Sequence, residues 1–160
     1  MQKFRTQGAI GALLDEYEKS ISELQALLRT MTPLELTTLV APKSKDPDCV
    51  SIQSILSHVV RAGYGYTVAV RISLGETLEY PSTQHFDSPE AYQKALMAMF
   101  AYQEKLFADY PNLSIEEYNP AKKIHTRWGQ RYDVEQLFEH AIVHILRHRR
   151  QVEKFLLHLR

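Results

Sequence analysis

Apolar residues recur at intervals of three and four in four separate stretches of this chain, and that helical period constrains the fold more than any other feature. In the first stretch Ile10, Leu13, Leu14, Tyr17, Ile21, Leu24 and Leu28 line one face, which ends near Thr30. Ile52, Ile55, Leu56, Val59, Tyr66, Val70 and Leu74 form the second stripe, opened by Ser51 as an N-cap and closed at Gly75. The third follows Asp87-Ser88-Pro89-Glu90 and runs through Tyr92, Leu96, Met99, Leu106 and Tyr110 until Pro111 stops it. The fourth opens at Asp133, with Gln136 three residues on as a capping-box partner, and continues almost to Arg160. Thr32-Pro33-Leu34-Glu35 starts a shorter helical piece, and Pro42 to Asp48 reads as a polar loop. Strand alternation is not evident anywhere, and no internal repeat is present.

Four amphipathic helices bury their stripes most economically against one another. With 160 residues the chain has enough material for one core and too little for two. The prediction is a single all-α domain over residues 1–160, a four-helix bundle with a long connection before the last helix. That connection, Pro111 to Tyr132, carries Trp128. Loops of this size in compact domains usually serve function or wrap the fold.

Charge and cysteine usage exclude several roles. Lys plus Arg and Asp plus Glu both number 19, so no basic excess supports a nucleic-acid partner or a membrane surface. No apolar run has the length of a signal-peptide core or of a ~20-residue membrane span, and a cytoplasmic protein is expected. Cys49 is the only cysteine, which excludes an internal disulfide and a thiolate metal cluster. Nothing beside it in sequence activates it, so it reads as a loop thiol rather than a nucleophile.

The histidines carry the chemistry. His140, His144 and His148 follow one another at four-residue steps, and each i, i+4 pair shares a helical face close enough to reach one ion. A helical wheel separates the pairs. With His148 at zero, Val134, Leu137, Ala141, Ile145, Val152, Phe155, Leu156 and Leu159 fall between roughly −20° and +80°. His144 lies just off that arc at about −40°, and His140 further out at about −80°. His144 and His148 therefore face the interior, while His140 stays at its margin. Two imidazoles on an apolar face need partners for their nitrogens, which a metal or a buried hydrogen-bonded pair would provide. A third ligand has to come from another helix. His58 is the only histidine within the second stripe, at its edge, beside the small residues Ser51, Ser54, Ala62 and Gly65 that would leave room next to an ion.

The segments Ser51 to Val60 and Trp128 to Gln151 resemble the second and last helices of the DinB-like (damage-inducible) four-helix bundles, most sharply in His144-x3-His148-Arg-x-Gln151. The resemblance covers nearly the whole chain in helix order. It implies a divalent metal, zinc or nickel foremost, on His58, His144 and His148. The family more often has Gly where this chain has Arg150, a position on the outer face that bears on packing or a subunit contact rather than on the metal. A homodimer is also implied.

Three neutral imidazoles leave a coordination position open, the pattern of a catalytic metal site. Gln151, one turn from His148, is placed to orient a ligand, and His140 is the other supporting candidate. Tyr64 and Tyr66 read as packing residues, with a pocket role as the alternative. The resemblance implies a thiol-dependent transferase or isomerase using an external low-molecular-weight thiol. The alternatives are a metal-dependent hydrolase and a non-catalytic stress-associated module whose metal staples two helices. A small-molecule substrate follows from either enzyme reading.

Overall fold

Four of the five helices begin on a side chain that accepts their unpaired N–H groups, as the sequence leads one to expect. The computed structural model describes residues 4–160. Helix α1 spans Gly8–Leu28, α2 Pro33–Thr37, α3 Ile52–Ser73, α4 Pro89–Asp109 and α5 Val134–Leu159. Thr32, Ser51 and Asp133 close capping boxes with Glu35, Ser54 and Gln136, and Ser88 caps α4 through the Ala91 amide. Each such cap stabilises its helix by about 1 kcal/mol. Only α1 starts without one.

The protein is mostly helical. Helix α1 packs against α4 and α5, and α3 packs against the same two helices, so the four long elements enclose one core. Leu24, Leu56, Leu96 and Leu137 supply one fully buried side chain from each. Glycine decides one of these approaches: a Cβ on Gly63 would meet the Met99 sulfur at 2.0 Å, so the bare backbone lets α4 close on α3. A polar link crosses the core where buried Gln103 of α4 donates to the Tyr17 hydroxyl of α1 at 2.7 Å.

Two segments depart from the sequence reading. The connection between α4 and α5 contains a two-residue antiparallel pair, β1 (Ile124–His125) with β2 (Arg131–Tyr132), in the register Ile124 to Tyr132 and His125 to Arg131. Strands this short show no alternation in sequence. Their turn is set instead by Thr126, which bonds to Gln130 through backbone and side chain, and by Gly129 at φ +88°. The polar run before α3 ends in a 3-10 turn, Pro47–Cys49, that buries the Cys49 thiol. Both segments touch the elements that carry the histidines: β1 packs on α3, β2 on α5, and the 3-10 turn on α3. No helix of the described residues is long and apolar enough to cross a membrane.

Candidate metal centre

His58 stands on the second turn of α3, and His144 and His148 on consecutive turns of α5, where those two helices pack together. His144 and His148 are buried and His58 is half-buried. The wheel places them correctly because an apolar arc must face the core, and the flanking Ala141, Ile145 and Val152 are themselves buried. The Nε2 atom of His144 lies 2.9 Å from that of His58 and 3.2 Å from that of His148. One ligand atom from each of the three residues falls within 4.8 Å of the others, close enough to hold a metal ion. Bonds of ~2.0–2.1 Å at angles between about 90° and 105° would separate such nitrogens by roughly 2.9–3.3 Å.

The outer nitrogens explain why the inner ones converge. His58 Nδ1 is 2.8 Å from Asp48 Oδ2, and His148 Nδ1 is 2.6 Å from Gln151 Oε1. Both partners are acceptors, so each Nδ1 carries the hydrogen and each Nε2 keeps its lone pair. Arg61 donates to the same Asp48 oxygen at 2.7 Å and to Thr83 at 2.8 Å. Its Nη2 also approaches His58 Nδ1 at 3.2 Å, but the anion is nearer to both groups and sets the hydrogen. Only His144 can then hold a hydrogen on Nε2. It can point at one neighbour, which leaves the lone pair of the other without a donor. A divalent cation satisfies all three.

The His144 and His148 rings are also held neutral, the form a metal ligand takes. Burial, and then the adjoining His148 and His58, push His144 down to about 2. Burial and His58 bring His148 to about 4, against an opposing pull from Gln151.

A cavity of about 460 Å³ opens beside the trio, with His58 and His144 in its wall. Ala62 and Gly65 border it, as their small size predicted, whereas Ser51 and Ser54 are occupied in the α3 cap. Tyr66 is buried, its ring nearly perpendicular to that of His144 with centroids 5.7 Å apart. It belongs to the cavity as well as to the core, so both the packing reading and the pocket alternative hold for it. Tyr64 lies against Tyr102, with ring centroids 5.4 Å apart, and is not part of the wall.

The remaining candidates divide. Gln151 meets His148 directly, and its amide nitrogen donates to the Cys49 sulfur at 3.4 Å. Burial raises the pKa of that thiol, which keeps it in the inert form expected of a non-nucleophile. His140 stands outside the trio, stacked on Trp128 at 5.7 Å with the Tyr132 hydroxyl 3.3 Å from Nδ1. It supports the wall of the cavity rather than a ligand. Arg150 is exposed on the outer face.

Sequence reasoning missed Asp48, Arg61, Tyr80 and Arg127. Arg61 was within reach, since it follows His58 by three residues on the same helix face. The others sit on connecting segments, Asp48 in the short 3-10 turn, where spacing carries little directional information.

These features define a mostly helical protein whose third and fifth helices bring three imidazoles together beside a cavity. No family model, curated protein or solved structure matches the chain.

Proposed function

We propose that the chain is a DinB-like four-helix bundle that binds one divalent metal ion on His58, His144 and His148, and is an enzyme for a small molecule. The observation that supports this reading best is the pair of outer hydrogen bonds, Asp48 to His58 and Gln151 to His148, which turn lone pairs toward His144. A neutral hydrogen-bonded histidine cluster would not call for both.

A divalent ion there supplies Lewis acidity and lowers the pKa of a bound water or thiol. The protein's own residues do the rest. Asp48 and Gln151 orient two ligands, and Arg61 anchors Asp48. Tyr66 closes one side of the site to water, and the cavity receives the reactant. Within this class we favour transfer to an external low-molecular-weight thiol, because the chain's single thiol is buried and engaged with Gln151. The ionised sulfur attacks the electrophilic carbon and a sulfur–carbon bond forms. The leaving group departs with its bonding pair, and the thiol proton passes to water. A homodimer is part of the same proposal.

The test loads the purified protein with cobalt and follows its absorption. One equivalent is expected to bind, with a further spectral change when a thiol is added. Turnover of 1-chloro-2,4-dinitrobenzene should then require both cobalt and the thiol. Binding without any response to thiol or azide would point to a structural staple. Chelator-sensitive ester cleavage that ignores thiols would point to the hydrolase. A monomeric mass in solution would rule out the dimer.

A further inference from the structure

The cavity beside the trio has a one-sided charge. No aspartate or glutamate lines it, whereas Arg61 and Arg127 do. Arg61 is matched by Asp48. Arg127 has neither an ion pair nor a hydrogen bond among the described residues; its guanidinium lies over the Tyr80 ring at 4.9 Å from the centroid. That contact holds the cation against the ring and leaves its N–H donors, which have no partner among the described residues, for a ligand. Three imidazoles bring no negative charge to offset a divalent ion, so the ion and Arg127 reinforce each other. The other walls are aromatic, from Tyr66, Tyr80 and Trp128.

We propose that the molecule taken into this cavity is a small organic carboxylate, its carboxylate paired with the edge of Arg127 and its apolar part held between Tyr80 and Trp128. The proposal deepens the metal-enzyme reading and rests on it for the position of the reacting atom, though the pairing with Arg127 involves only this chain's own side chains. A guanidinium edge matches a planar two-oxygen anion bidentately. The size fits as well: ~300–1,000 Å³ is the usual range for small-molecule sites. Arg127 then acts as a specificity residue, indifferent to which bond is broken.

Trp128 is the only tryptophan in the chain, so its fluorescence reports on this cavity alone. The probes are 3-mercaptopropionate and its methyl ester, which share the thiol and differ in the charge. Zinc-loaded protein should bind the acid about 10- to 100-fold more tightly than the ester, the range for one charge-assisted contact. Arg127→Gln should remove that preference without altering the ester's affinity, and Arg127→Lys should restore part of it. Equal binding of acid and ester, or a preference that survives Arg127→Gln, would overturn the proposal. The same titration on metal-free protein separates the two readings. An Arg127-dependent preference there, in a protein that takes up no cobalt, upholds the carboxylate site while the metal reading falls. Stoichiometric cobalt binding with no acid preference does the reverse.

Discussion

Helix α3 carries two partly buried polar clusters about 20 Å apart, around His58 and around Arg71, and they are built on opposite principles. Arg71 donates to Glu76 at 2.8 Å and to Asp109 at 2.6 Å, and its guanidinium lies 5.1 Å from the Tyr102 ring centroid. Asp109 also pairs with Lys105, and Glu76 accepts from the Tyr110 hydroxyl. Opposite charges meet there and balance within the protein, although the Arg71 Nε–H is buried without an acceptor. At His58 the outer partners are equally well matched, but the inner atoms are three like acceptors. One cluster pairs opposite charges, and the other gathers three imidazole nitrogens close enough to hold a metal ion. Polarity under a helix is therefore a poor guide to function until donors and acceptors have been counted.

The largest expected effect breaks that comparison directly. His144→Ala should weaken cobalt binding by about 1,000-fold or more, because the remaining pair lacks its central ligand. Arg71→Gln should leave cobalt affinity unchanged and lower the urea midpoint equally with and without metal. Equilibrium dialysis and urea titration of both variants check the pair. If Arg71→Gln also released the metal, the two clusters would not be independent.

Acidification separates them next. The His144 and His148 rings stay neutral in the fold to about 2 and about 4, well below the ordinary value of 6.5. The unfolded chain therefore takes up protons that the folded chain refuses as pH drops from about 6.5 toward 4, and stability must fall across that window. Below it only His144 continues the trend. Metal-free protein should lose of the order of 1 kcal/mol per pH unit between pH 6.5 and 4, read from urea midpoints. His144→Ala should flatten the slope, whereas Arg71→Gln should not. The smallest effect concerns orientation alone. Asp48→Asn should reduce metal affinity by about 10-fold, the lower end for loss of an outer partner. An unchanged affinity would show that the His58 tautomer needs no carboxylate.

The sequence revealed the parts of the molecule that obey a period. The α5 wheel placed His144 and His148 inside and His140 at the rim, because Leu137, Ala141 and Ile145 define that face without ambiguity. Ser51 and Asp133 marked helix starts that the structure keeps. Gln151 was foreseen as a supporting residue for the same reason. Asp48, Tyr80 and Arg127 were not, since each lies on connecting backbone whose path depends on the finished core. The β1–β2 pair escaped notice because two residues cannot display an alternation. Even the edge position of His58 became informative only beside the paired histidines of the last helix.

The separation of the three histidines along the chain has a consequence for how the protein is made. His58 and His144 are 86 residues apart. At ~5–20 residues per second, a ribosome adds the second of them roughly 4–17 s after the first. Through that interval α3 has no α5 to pack against, and no pair of ligands for His58 to join. His58 can meet the other two imidazoles only once α5 has been made, so their convergence follows the synthesis of α3 by that interval and cannot seed its folding.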